Sequence, residues 1–206
     1  MTIPVKVLLV RYLPNADRQL LKGLGIGEDR PCLAMLTTDC DDATYIALDE
    51  ATKAADVQVG YGRSFYAGAP NATTPNAGEV IGILAAPTPD SARSGMGAAL
   101  RALEGLGFRE VRGIPYLAHT VSSCGTYLAA EAGVRPGTPL AYLIAPPLES
   151  VYGLDAALKS ADVKLCKLYA PPSETNFGGG LLTGTRSACQ AAAEAFAAAI
   201  EACSTP

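Results

Sequence analysis

The sequence predicts an α/β (α+β) fold in which one arrangement of strands and helices is made twice within the chain. Residues 49–57 read DEATKAADV and residues 155–163 read DAALKSADV, so Asp49, Lys53, Asp56 and Val57 recur as Asp155, Lys159, Asp162 and Val163. LAML at 33–36 faces LAYL at 140–143 at nearly the same separation. GEVIGIL at 78–84 faces GGGLLTG at 178–184, and an alanine-rich amphipathic stretch follows each. A repeat at about half the chain length means two copies of one fold, and such a chain is suited to a symmetric ring. A duplicated ring-former is more often a scaffold or pore than a single-site catalyst.

The elements follow in the same order in both halves. VKVLLV opens the first with a buried strand at 5–11, followed by a helix near 15–22 and a strand at 33–38. A helix is expected at about 46–55, with Ile46, Leu48 and Ala54 on one face, and strands at 57–66 and 79–84. The Gly-, Pro- and Asn-rich AGAPNATTPNAG between those strands reads as a loop. The closing helix is the best signalled. Thr88 is its N-cap, Pro89 suits its first position, and Asp90 favours the positive end of its dipole. Ala92, Met96, Ala99, Leu100, Leu103 and Leu106 recur at helical spacing, and Gly107 stops it.

The second half repeats this with a strand within 110–121, a helix from Ser122 to Ala132 and a buried strand at 140–145. A helix near 150–160, strands at 163–169 and 179–184, and a helix over 186–203 capped by Thr185 complete it. The expected domains are 1–107 and 108–206, packed as one body because no long Pro- or Ser-rich linker separates them.

Composition narrows the function. A net charge of −4 and a pI near 5.0 argue against nucleic acid, which needs a basic stripe against its phosphates. No run reaches the roughly 18 apolar residues of a membrane helix, and the N-terminus lacks a signal-peptide cleavage site. The six cysteines show no CxxC spacing and there is one histidine, His119, so a zinc site has poor support. Scattered cysteines suit reducing cytosol, and the chain is expected to be cytoplasmic.

Longer strings carry a resemblance. TTDCDDATYIALDEATKAADVQVGYGRSFYAGA (37–69), AGEVIGIL (77–84), AHTVSSCGTYL (118–128), AYLIAPPLESVYGLDAALKSADV (141–163) and PPSETNFGGGLLTG (171–184) together resemble the EutL family. These are ethanolamine-utilisation shell proteins of bacterial microcompartments. The resemblance covers nearly the whole chain in order. It implies two circularly permuted microcompartment domains and a homotrimer that mimics a hexameric tile. Such tiles pack edge to edge with other shell proteins, are non-enzymatic, and admit small-molecule substrates or cofactors through gated pores while retaining volatile aldehydes; no cofactor is assigned to this chain. The chain departs from the family's SRTGSYL at Ser123 and Cys124, and its 107–116 stretch is shorter than the family's.

The acidic cluster Asp39, Asp41, Asp42, Asp49 and Glu50 is the densest charge in the chain. The resemblance places Asp41, Asp42, Glu79, Phe108 and Thr175 at the small-molecule site of a subunit pore. Carboxylates, an aromatic face and a hydroxyl together suit an amino alcohol such as ethanolamine. The other reading is that the acids cap the helix beginning near Tyr45 and are otherwise solvated. FGGGLLTGTR (177–186) lacks the Lys-Ser/Thr of a P-loop and GLGIG (23–27) lacks dinucleotide spacing, so the glycines read as close-approach or loop positions. Tyr61, Tyr66, Tyr142 and Tyr152 read as packing residues. Two alternatives remain: a soluble small-molecule-binding oligomer using the acidic pocket, and an enzyme using Cys124 with His119, which has no evident third member.

Overall fold

The structure, a computed structural model, describes residues 2–65, 80–171 and 177–203. It divides into two compact units. The N-terminal unit holds Val5–Leu106 together with Gly125–Leu128, and the C-terminal unit holds β1 (Thr2–Pro4), Gly107–Cys124 and Ala129 onward. Relative to the halves 1–107 and 108–206, two short segments are exchanged: β1 packs in the C-terminal unit and Gly125–Leu128 in the N-terminal one.

The N-terminal unit is a four-stranded antiparallel sheet in the order β2-β3-β5-β4, from β2 (Val7–Leu13), β3 (Cys32–Thr38), β4 (Gln58–Ser64) and β5 (Val80–Ala86). β3 and β5 are almost continuously apolar because both of their faces are covered. α2 (Asp41–Ala54) and α3 (Pro89–Glu104) pack on each other and on the sheet. A Cβ at Gly82 would stand 2.8 Å from a Leu48 methyl and 2.9 Å from one of Leu36, so the helix approaches the strand as closely as glycine permits. On the opposite face α1 (Arg18–Leu24) sets Leu21 against Leu33, Ile83 and Ala85.

The C-terminal unit is a six-stranded antiparallel sheet in the order β1-β6-β7-β8-β10-β9. Its further strands are β6 (Gly107–Val111), β7 (Ile114–Val121), β8 (Leu140–Ala145), β9 (Val163–Tyr169) and β10 (Gly178–Gly184). α5 (Pro147–Ser160) and α6 (Arg186–Ala202) cover it, with Leu154, Ala157, Phe196 and Ile200 against Leu143 and Leu182. α4 (Thr126–Ala132) links β7 to β8.

Several boundaries differ from expectation for local reasons. α1 begins at Arg18 because the Asp17 carboxylate accepts from the Gln19 amide at 2.8 Å. α2 begins at Asp41, well before Tyr45: Cys40 is extended (φ −148°), and its amide donates to Thr38 Oγ1 at 3.1 Å. The single strand expected within 110–121 is instead the β6–β7 hairpin, turned by Arg112 (φ 49°) and Gly113 (φ 83°). Two positive φ angles match the right-handed twist of paired strands. α4 starts at Thr126, Ser122–Gly125 being loop. β1, absent from the expectation, pairs with β6.

Among the described residues, three of the four edge strands are irregular. The registers leave one extra residue in each: Leu8 in β2, Gly60 in β4 and Cys166 in β9. The fourth, β1, is three residues long and ends in Pro4.

Candidate functional site

The acidic cluster separates once folded. Asp41 and Asp42 occupy the first turn of α2, where the helix dipole favours negative charge, and are only 9% and 7% exposed. Asp41 Oδ2 accepts from Ser64 Oγ at 2.7 Å, and its Oδ1 accepts from the Asp42 amide at 2.9 Å. The Tyr45 and Ser64 hydroxyls are hydrogen-bonded to each other. Tyr45 also leans on Tyr127, ring centroids 5.9 Å apart. Gly62 leaves room for that pair, since a Cβ there would sit 3.1 Å from the Tyr127 hydroxyl. Both acids are therefore buried rather than solvated, and the Asp41 carboxylate is hydrogen-bonded. Burial first, and then the Asp42 charge, push the neighbouring Cys40 thiol far above its usual range, so it stays a thiol.

Asp49 turns elsewhere. It is fully buried, and its carboxylate accepts from the Gly125 amide at 2.6 Å and the Leu128 amide at 2.8 Å. Thr52 Oγ1 accepts from Thr126 at 3.0 Å. Together they satisfy amides at the start of α4 that have no partner within the helix. Desolvation raises the Asp49 carboxyl above its ordinary value, opposed by the two amides and by Lys53. Glu50 pairs with Lys53 at 2.5 Å.

Phe108 lies in β6 of the C-terminal unit, edge-on to Phe177 with centroids 5.5 Å apart and planes at 71°. Glu79, Thr175 and Tyr66 lie outside the described residues. Cys124 is buried, and its Sγ donates to the Arg135 carbonyl at 3.6 Å. His119 lies opposite Tyr142 in the β7–β8 pair and lines a groove of about 550 Å³ with Arg109, Arg186, Gln190 and Glu194. Among the described residues no group of three or more His, Cys, Asp or Glu side chains could hold a metal ion, and no helix is long and apolar enough to cross a membrane. Ser64 and the Tyr45–Tyr127 pair were not anticipated. Asp41 and Tyr45 stand four residues apart on α2, a spacing that carries a signal only once the helix is known to begin at Asp41; Ser64 and Tyr127 offered none.

No protein-family model matches the chain. The curated microcompartment shell protein EutL of Clostridium perfringens is 54% identical over 199 residues, 95% of this chain and 92% of that protein. The chain belongs to the EutL family of bacterial microcompartment shell proteins. EutL of Salmonella typhimurium is 49% identical over 94% of this chain and 90% of its own. The crystal structure of EutL from Leptotrichia buccalis superposes with a TM-score of 0.94 at 54% identity, covering 98% of this chain and 94% of that one. The trimeric microcompartment shell protein PduB shares the fold, with a TM-score of 0.78 at 21% identity. As a EutL-family chain, this protein is a structural component of the shell.

Proposed function

We propose that the chain is a non-catalytic tile in the shell of a cytoplasmic microcompartment, with three copies forming a pseudo-hexameric ring. Each unit then counts as one microcompartment domain, and the tiles meet other shell proteins edge to edge. The observation that carries this reading is the doubled architecture: each unit has a pair of packed helices on an antiparallel sheet, reached through equivalent strands. The trimeric state of PduB, a protein of the same fold, points the same way.

The same reading assigns Asp41, Asp42, Glu79, Phe108 and Thr175 to a site that admits a small amino alcohol. Support comes from the burial of Asp41 and Asp42, because a desolvated carboxylate attracts an ammonium far more strongly than a solvated one. An acidic lining favours a protonated amino alcohol over a neutral aldehyde. Light scattering on a sizing column should give three times the 21.2 kDa chain, growing with concentration; a stable single chain refutes the tile. Calorimetry with ethanolamine should show binding that is lost in Asp41→Asn/Asp42→Asn/Glu79→Gln, and unchanged binding refutes the site.

A further inference from the structure

α3 and α6 are equivalent helices of the two units. Each follows a threonine N-cap, and counted from Thr88 and Thr185 their positions correspond. Buried Ala92, Ala99 and Leu103 of α3 become buried Cys189, Phe196 and Ile200 of α6. The adjoining face does not match. Where α3 has Met96 and Leu100, α6 has Ala193 and Ala197. The end charges are reversed as well. α3 carries Asp90 in its first turn and Arg101 in its last, which suits the helix dipole. α6 carries Arg186 in its first turn and Glu201 in its last, each at the end that disfavours it.

All four departures face one hollow within the C-terminal unit. It is a cleft of about 550 Å³ lined on one side by β7 and on the other by α6, where Ala193 and Ala197 leave room that larger side chains would fill. β6 and β1 continue this sheet beyond β7, and a second hollow of about 410 Å³ there shares Arg109 and Glu201 with the first. The sheet of the N-terminal unit ends at β2 and has no such extension among the described residues. Tyr116, 2% exposed, donates to Glu201 Oε1 at 3.2 Å and fixes that carboxylate where the hollows meet. Gln190 donates to Glu194 at 3.0 Å. Arg186 has no ion-pair partner among the described residues. The lining therefore holds two carboxylates with Arg109 toward one end, and Arg186 toward the other. Along the helix axis Arg186 stands about 12 Å from Glu194 and about 22 Å from Glu201.

We propose that this cleft binds a linear zwitterion, a free-ended peptide of four or five residues, with its carboxylate on Arg186 and its ammonium on Glu194 and Glu201. An extended chain advances about 3.3–3.6 Å per residue, so four or five residues bridge about 13–18 Å. The dipole of α6, which opposes Arg186 and Glu201 themselves, favours both charges of such a ligand. Thr120 and Ser122, on the β7 side, supply hydroxyls for its peptide groups, which an aliphatic chain would leave unused. The site lies in one unit of one chain and is independent of how copies assemble.

Calorimetry with tetraalanine, N-acetyl-tetraalanine and tetraalanine amide tests each end separately. Tetraalanine should bind, and blocking either end should weaken it about three- to tenfold. Arg186→Gln should bind the free peptide and the amide equally. Glu194→Gln/Glu201→Gln should bind the free and acetylated peptides equally, because each variant has already lost the pairing that the block removes. Ala197→Leu, which restores the residue of α3, should abolish binding; if it unfolds, the three exposed charges still decide the matter. No binding of tetraalanine to wild type at about 10 mM, or variants that weaken all three peptides alike, overturns the site. The mass of the unliganded wild type is read separately, so failure here leaves the tile reading standing.

Discussion

Replacing Asp49 tests how the start of α4 is held. In Asp49→Ala the Gly125 and Leu128 amides lose acceptors at 2.6 and 2.8 Å, in a place water does not reach. A hydrogen bond to an ionised acceptor is worth about 1.5–3 kcal/mol, and a buried donor left unmade costs about 1–3 kcal/mol. Desolvation of the carboxylate, the largest influence on its titration, works against that gain. The expected loss is about 3 kcal/mol, or about 6–12 °C in melting temperature for a chain of this size. Asp49→Asn, which keeps one acceptor and sets an NH₂ against the other amide, should lose about half as much. Urea titration measures the loss, and amide exchange localises it: Gly125 and Leu128 should exchange about 100-fold faster in Asp49→Ala, the equivalent of about 3 kcal/mol. Stability within about 0.5 kcal/mol of wild type, with exchange at those amides unchanged, would refute the argument.

Gly125→Ala should cost about 1–3 kcal/mol in urea unfolding, and adding Thr52→Ala should recover only part, because the Asp49 carbonyl 2.6 Å from the new Cβ remains. Phe196→Ala removes a fully buried ring packed on Gly153 and should lose about 3–5 kcal/mol by the same assay. Asp49 also sets a pH dependence. Its folded carboxyl titrates above the unfolded value of 3.8, so that contribution to stability is complete below about pH 3.8 and lost as pH rises through the folded value. The stability gap between wild type and Asp49→Asn should therefore widen on acidification, and a gap that narrows contradicts the raised titration. Cys124→Ala, which removes a weak bond to the Arg135 carbonyl, should stay within about 1 kcal/mol of wild type and assemble to the same mass.

At the N-termini of α3 and α6 sequence and structure agree, whereas α3 stops at Gly105 rather than at Gly107, which opens β6. Thr88 Oγ1 accepts from the Ser91 amide and Pro89 opens α3, as the capping pattern requires. Thr185 does the same for α6 by accepting from Ala188. The repeat was legible because burial imposes it: Leu48 and Leu154 face equivalent cores. The start of α2 was not, since Cys40 has no side-chain capping bond and the helix begins on two aspartates that suit a loop equally well. Asp49 looked like part of a surface cluster because its partners lie 76 and 79 residues away, beyond the reach of any local pattern. The β6–β7 hairpin was hidden by Arg112, a residue that seldom adopts positive φ.

The irregular strand edges bear on what this protein avoids. A straight, open edge is a template for cross-β aggregation, and a structural component of a protein shell is exposed to that hazard from its protein neighbours. With an extra residue kinking β2, β4 and β9, and proline ending β1, no sheet edge among the described residues offers a regular ladder to an incoming strand. Misplaced neighbours then have only side chains to hold them, and can let go and try again.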